Sequence, residues 1–243
     1  MRLDRYLCGS TGDSRSTVRT WIRAGRVTRN GTVATRPAEP VSNGDCVSLD
    51  GTVLVLRGPR YLMVNKPVGT VCTAAHADPR SVLNCVPIQA GARLQCVGRL
   101  DIDTTGLLLL SDDGQWNHRV SRPGRSTKVY RVALAAAWTD QMLDHLCTGV
   151  QLRGERRLAV ACDVTPLGPD SLRVTLDEGR YHQIKRMLAA VGNRVVGLHR
   201  LSVGALALDD SLAPGAWREL TEIERCRAEG LDEAACQARS DPQ

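Results

Sequence analysis

Gly98-Arg99-Leu100-Asp101-Ile102-Asp103-Thr104-Thr105-Gly106 runs directly into Leu107-Leu108-Leu109-Leu110-Ser111. A polar segment with a glycine at each edge is therefore set between two apolar runs, Leu94–Val97 and Leu107–Ser111. Runs this short, bounded by turn residues, predict buried strands. A loop hung between two buried strands holds its side chains rigidly, which is how catalytic groups are commonly positioned. Spacing alone also fits a quieter reading, in which Asp101 and Asp103 form Asx turns or bond to loop amides.

Working outward, Arg60–Asn65 predicts a strand that stops at Lys66-Pro67, and Asp112-Asp113-Gly114 predicts a turn. Gln115–Ser121 predicts a short helix broken by Pro123-Gly124, followed by a strand at Lys128–Leu134. Thr139 caps a predicted helix over Thr139–Leu146; Arg157–Val164 and Ser171–Leu176 read as strands, and His182–Val191 as a helix ending at Gly192. Strand runs with short connections and interspersed helices predict an α+β fold with a largely antiparallel sheet flanked by helices. The segment after Glu222 is charged and lacks an apolar stripe, so a frayed helix or disorder is expected.

Residues 1–50 form a unit of their own. Leu3, Tyr6 and Leu7 have helical spacing; Ser14 can cap a second helix whose stripe is Val18, Trp21 and Ile22, with Gly25 at its end. Val27–Arg29 and Thr32–Ala34 flank Asn30-Gly31, a hairpin signal. A further short strand lies within Val41–Leu49, and Gly51–Pro59 reads as a linker. Arg15, Arg19 and Arg23 recur every fourth residue on one helix face, and Arg26 and Arg29 extend them. Such a row is often only a solvated face. With few acids interrupting it, it also suits phosphates held without base readout.

The 243 residues are 42% apolar, 24% charged and only 3% aromatic, with no Phe. The core must therefore be built from Leu, Val and Ala. A net charge of +6 is compatible with a polyanionic partner. Nine scattered cysteines, an odd number without CxxC spacing, argue against a disulfide framework or a zinc site and for reduced thiols in a cytoplasm. The start Met1-Arg2-Leu3-Asp4-Arg5 is unlike a signal peptide, and runs such as Val132–Trp138 are too short to span a bilayer, so no membrane partner is expected. No dinucleotide or P-loop motif occurs, and no metal or cofactor is expected.

Three further constellations stand out. Lys128-Val129-Tyr130 lies in a strand, with residues 128 and 130 on one face; Tyr130 reads equally as a core ring with a wet hydroxyl. In Glu178-Gly179-Arg180-Tyr181-His182-Gln183-Ile184-Lys185-Arg186-Met187, Ile184 and Met187 begin the buried stripe of a helix. Lys185 and Arg186 sit beside that stripe in the first turns, where the helix dipole is positive. Asn65-Lys66-Pro67-x-Gly69 ends a strand with a turn.

The string Gly98-Arg99-Leu100-Asp101, two residues, Thr104-Thr105-Gly106, the apolar run and Ser111-Asp112 resembles the signature of the RsuA-type pseudouridine synthases at every position. The first fifty residues, with their Arg-rich helix, V-x-x-N-G hairpin and closing G-D-x-V, resemble the S4 RNA-binding domain. The resemblance implies an S4-like unit and linker at 1–58, a catalytic domain at 59–225 and a tail at 226–243. It implies isomerisation of a uridine in small-subunit rRNA by a monomer, with Asp101 as the essential carboxylate, Tyr130 against the base and Lys185 paired with Asp101. It further implies RNA contacts by Arg99, Thr104, Thr105, Lys66, Arg180, His182 and Arg186, with Arg15, Arg19, Arg23 and Arg26 on phosphates. The competing readings are a large-subunit rRNA synthase, a non-catalytic RNA-binding assembly protein, and a hydrolase using Asp101 and Asp103 as paired carboxylates.

Overall fold

A computed structural model of the chain describes residues 1–56, 58–73, 78–87, 93–231 and 235–236. It has two compact units, Met1–Pro59 with Pro87–Leu94, and Arg60–Val86 with Gln95–Gln243.

In the first unit, helices α1 (Leu3–Thr11) and α2 (Arg15–Arg23) pack on a four-stranded sheet. Its strands are β1 (Val27–Arg29), β2 (Thr32–Val33), β3 (Val47–Leu49) and β4 (Thr52–Leu54), in the order β2-β1-β3-β4. The Ser14 side chain accepts the Thr17 amide at 3.1 Å and starts α2, as its residue type predicts. Leu3, Leu7, Val18, Ile22, Val27 and Val47 close the core at 0–1% exposure, in agreement with the apolar stripes. Asn30-Gly31, with φ of 52° and 80°, makes the β1–β2 hairpin, because such two-residue turns need positive φ at both positions. Asp50-Gly51 (φ 48° and 79°) repeats the device. The expected linker Gly51–Pro59 therefore begins with a strand: β4 pairs antiparallel with β3.

In the second unit the strands are β5 (Tyr61–Lys66), β6 (Gln95–Val97), β7 (Thr104–Ser111), β8 (Lys128–Leu134), β9 (Asp163–Gly168), β10 (Ser171–Leu176), β11 (Val195–Val203), β12 (Leu206–Ala207) and β13 (Trp217–Glu219). The helices are α3 (Gly114–Ser121), α4 (Asp140–Thr148), α5 (Gln183–Ala190) and α6 (Glu222–Ala228). The sheet order is β13-β5-β7-β11-β8-β10-β9, with β12 on β11 and β6 on β7. Among the described residues every ladder of this sheet is antiparallel except β7–β11. This is the expected α+β class with a mostly antiparallel mixed sheet.

Leu107 to Leu110 are all at 0% exposure because both faces of central β7 are covered, and such strands read as continuous apolar runs. One face carries Met63, Leu107, Leu109, Trp116, Val120, Val203 and Leu206. A second cluster joins Val132, Leu172, Val174 and Leu176 to Ile184, Met187 and Leu188 of α5 and Leu146 of α4.

Three expectations need correction. The strand expected over 157–164 begins only at Asp163; Ala159 instead bridges Val150, and the Ala161 amide bonds Leu146 O at the end of α4. β11 has no counterpart among the expected strands, since Gly197, His199 and Arg200 interrupt its apolar pattern. The segment after Glu222 is a capped helix, not a frayed one: Thr221 and Glu224 form a capping box, and Cys226 and Ala228 are buried. The boundary at 225–226 falls inside α6, and the tail beyond 231 lies outside the described residues apart from 235–236.

Candidate active site

β7 and β11 run parallel, with Thr104 opposite Leu198, His199 opposite Thr105 and Arg200 opposite Gly106. The segments that enter these two strands therefore meet at one end of the sheet: the 98–103 loop before β7, and α5 before β11. Gly106 makes the close approach possible. Its φ is +98°, and a Cβ there would lie 2.4 Å from Arg200 O, so no other residue fits without displacing backbone.

At this meeting point the Lys185 ammonium donates to Asp101 Oδ2 at 2.8 Å and to Asp103 Oδ1 at 2.5 Å. His182 Nε2 lies 3.3 Å from Asp101 Oδ1. Asp101 thus has a basic group on each oxygen, and Lys185 spans two carboxylates. The Lys185 hydrogen bond is the main influence on Asp103 and holds its carboxyl below the usual range, against the opposing effect of burial. Burial acts to lower the Lys185 pKa, but the bonds to Asp101 and Asp103 outweigh it and raise it. His182 holds a left-handed backbone (φ 48°) at the N-cap of α5, and its ring stacks on Tyr181 at 3.8 Å between centroids. The turn directs the chain so that His182 and Lys185 reach the same carboxylate.

A cavity of about 90 Å³ opens beside this pair. Asp101, Tyr130, Lys185, Arg99, Thr104, Arg180 and His182 all line it, with Leu100, Leu176, Ile184 and Leu198 as apolar wall. Seven of the residues singled out from sequence are therefore brought together. The Thr104 hydroxyl is buried without a hydrogen-bond partner among the described residues. Arg180 is fixed by Arg157 O at 2.8 Å, Leu158 O at 2.9 Å and Glu178 at 2.9 Å. Gln183 locks this corner, donating to Glu178 at 2.7 Å and accepting from the Arg180 amide at 2.9 Å. An anionic carboxylate clamped at the mouth of a half-apolar cavity can attack an electrophilic carbon or take a proton.

The other expected residues stand elsewhere. Thr105 points to the opposite sheet face, because side chains alternate along β7 from Thr104 onward. There its hydroxyl meets His199 Nδ1 at 2.8 Å. Lys66 is at 0% exposure and so is not a surface RNA contact. It donates to Thr104 O at 2.8 Å and Pro67 O at 3.1 Å, beneath the loop. Arg186 is engaged by Glu155 at 3.0 Å and by Arg153 O at 2.8 Å, outside the cavity. In the first unit, Arg15, Arg19, Arg23 and Arg26 are all exposed. Arg19 pairs with Asp4 at 3.4 Å; Arg26 pairs with Asp50 at 2.5 Å and lies over the Trp21 ring. Sequence reasoning misses Gln183, and it raises Asp103 only as a paired carboxylate in a competing reading; the ion pair of Asp103 with Lys185 depends on a partner 82 residues away, which no local pattern encodes.

Residues 60–190 match the RNA pseudouridylate synthase family, and residues 1–47 match the S4 domain. Among relatives, the ribosomal small subunit pseudouridine synthase A of Salmonella typhimurium is 44% identical over 92% of this chain and 98% of its own length. Those of Escherichia coli and Vibrio cholerae are 43% and 40% identical, again over 92% of this chain. A crystal structure of a pseudouridylate synthase superposes with a TM-score of 0.67 at 37% identity, covering 94% of this chain and 99% of that one. Among the described residues, no helix is long and apolar enough to cross a membrane.

Proposed function

The chain belongs to the RNA pseudouridylate synthase family, and from that premise we propose that it converts one uridine of small-subunit rRNA to pseudouridine, with Asp101 as the catalytic carboxylate. The observation that carries the assignment is the clamp on Asp101, with Lys185 at 2.8 Å and His182 at 3.3 Å beside the cavity that Tyr130 lines. The choice of small-subunit rRNA rests on relatives of that name, 40–45% identical along 92% of the chain.

The reaction breaks the C1′–N1 bond, turns the uracil and joins C1′ to C5. It is redox-neutral and transfers nothing in or out, so it asks for no cofactor. The target base must first leave its stack, at a cost of a few kcal/mol that is lowest in loops. Half-buried Tyr130 then offers its ring as a stacking surface for the extruded uracil. Asp101 serves as a nucleophile at C1′ or C6, or as a base at C2′. In each case Lys185 fixes the direction of its carboxylate, which is the preorganised electrostatics such a step needs. Leu100, Leu176, Ile184 and Leu198 retain the detached base. Exposed Arg99 faces a flanking phosphate, while Arg180, held by Glu178 and by the carbonyls of Arg157 and Leu158, shapes the cavity wall. In the S4 unit, Arg15 and Arg23 supply phosphate contacts together with Arg19 and Arg26, whose ion pairs to Asp4 and Asp50 orient them.

Asp101→Asn tests the central role. It should abolish pseudouridine in transcribed small-subunit rRNA while RNA affinity stays within about threefold. Pseudouridine formed at the wild-type rate would remove Asp101 from the mechanism. Mapping pseudouridine in total rRNA of a deletion strain tests the substrate, because a site lost from the large subunit would reassign it.

A further inference from the structure

The face of the second unit's sheet that points away from the cavity is only half covered. Around β5, β7 and the end of β11 it carries the Trp116 and Val120 cluster, with Ala228 of α6. Across β9, β10, β8 and the start of β11 no buried cluster covers it among the described residues. The register places one row of side chains straight across this open part. Thr165 of β9 lies opposite Arg173 of β10, Arg173 opposite Arg131 of β8, Arg131 opposite His199 of β11, and His199 opposite Thr105 of β7. Strand alternation puts all five on the face opposite Tyr130, Val132 and Val174.

Arg131 and Arg173 are exposed, and among the described residues neither has an ion-pair partner. Like charges directly opposite in neighbouring strands are destabilising, and burial together with nearby Arg131 lowers the His199 pKa. Asp163, two residues along β9 on the same face, accepts the Thr165 hydroxyl at 3.0 Å and makes no ion pair with either arginine. The surrounding positions are small: Ser171 and Gly168 face each other, as do Ala133 and Gly197. The result is a floor of small residues from which two guanidiniums without ion pairs rise, flanked by hydroxyl and imidazole groups that can also hydrogen-bond oxygen.

We propose that this open sheet face is a second RNA-contact surface, on which the Arg131–Arg173 pair holds backbone phosphates of the substrate outside the catalytic cavity. The inference rests on the reading that the substrate is RNA. One phosphate on each arginine offsets the repulsion that the fold leaves uncompensated, and two parallel donors per guanidinium suit it geometrically. Contacts of this kind add affinity without base readout.

The test is Arg131→Gln with Arg173→Gln, beside a charge-retaining Arg131→Lys with Arg173→Lys variant, assayed on transcribed full-length small-subunit rRNA. Each phosphate contact contributes about 0.7–0.9 to the slope of log affinity against log salt. Losing two therefore lowers the slope by about 1.4–1.8. If the curves converge near 1 M salt, affinity at 0.1 M falls by about 25- to 60-fold. The Lys variant should keep most of both. Turnover at saturating RNA should equal wild type, and melting temperature should be equal or higher, since a like-charge pair has gone. A short hairpin containing the target uridine, too small to reach around the sheet, should bind all forms alike. Wild-type slope and affinity in the Gln variant would overturn the proposal, as would a loss confined to assembled ribosomal particles, which would give the face to an acidic protein. If the substrate reading itself were wrong, none of the forms, wild type included, would make pseudouridine, so the two failures are distinguishable.

Discussion

Replacing Lys185 by Met removes the cation that holds Asp101 and Asp103 while keeping the length of the side chain. Lys185 is 23% exposed and Asp101 27%, so their bond lies between two limits. Exposed pairs contribute about 0.2–1 kcal/mol, whereas breaking a buried one costs about 3–5 kcal/mol. The Asp103 arm is 62% exposed and belongs near the lower limit. Lys185→Met should therefore cost about 1–3 kcal/mol, a fall of about 2–4 °C in melting temperature per kcal/mol. The effect on turnover should be larger than the effect on stability. Removing one preorganised charged donor from a reaction centre costs about 10²–10³ in kcat. RNA affinity should change little, because Arg99 and the arginines of the S4 unit remain. Turnover is read as release of tritium from RNA labelled at uracil C5, since that hydrogen leaves when C5 joins C1′. The stability gap carries a pH signature. The Asp103 pKa is lower folded than unfolded, so its contribution is full above the unfolded value near 3.9 and disappears as pH falls through the folded one. The Lys185 pKa is higher folded than unfolded, so its contribution is full below about 10.5 and disappears as pH rises beyond the folded value. The gap between wild type and variant should be level from about pH 6 to 9 and narrow below about pH 4. Lys185→Arg should restore the pH signature and only part of the turnover, because a guanidinium cannot reproduce the point contact. Wild-type turnover in Lys185→Met, or a gap unchanged down to pH 3, would refute the reasoning.

Gly106→Ala should destabilise the protein by about 2–5 kcal/mol, the sum of about 1–2 kcal/mol for left-handed φ in an L-residue and about 1–3 kcal/mol for overpacking. The overpacking arises where the new Cβ meets the Arg200 backbone; thermal unfolding with wild-type stability would show that β7 and β11 can separate freely. Lys66→Met should cost about 2–4 kcal/mol by leaving buried carbonyls without a donor. Those carbonyls belong to Thr104 and Pro67, so turnover should also slow through the loop they flank. Burial lowers the Lys66 pKa below its unfolded value, so the unfolded chain binds the extra proton between the two values and wild-type stability should rise with pH there. Lys66→Met should lack that rise, and urea titrations at several pH values up to about 10 would detect it.

The parts legible in sequence are those whose cause is local. The Leu107–Leu110 run announces a strand buried on both faces; Ser14 and Thr139 announce helix starts; Asn30-Gly31 announces a hairpin. The strand β11 is illegible because the features that make it a strand lie in its neighbours. Arg200 is tolerated at 3% exposure because its Nε reaches Leu107 O at 2.7 Å, and Gly106 looks like a loop edge until Arg200 is known to press on it. Thr105 is misplaced for a related reason: starting β7 at residue 107 hides the alternation that sends 104 and 105 to opposite faces. Asp101 and Lys185 are 84 residues apart, and only the resemblance to a known family links them without the fold. What joins them physically is the one parallel pairing among the described strands of a sheet that local patterns read as antiparallel. An antiparallel β7–β11 pair would have sent the 98–103 loop and α5 to opposite ends of the sheet, with every local element unchanged and no site. The chemistry therefore depends on the β7–β11 register, held by a missing side chain at 106 and a buried guanidinium at 200, more directly than on any residue in the cavity.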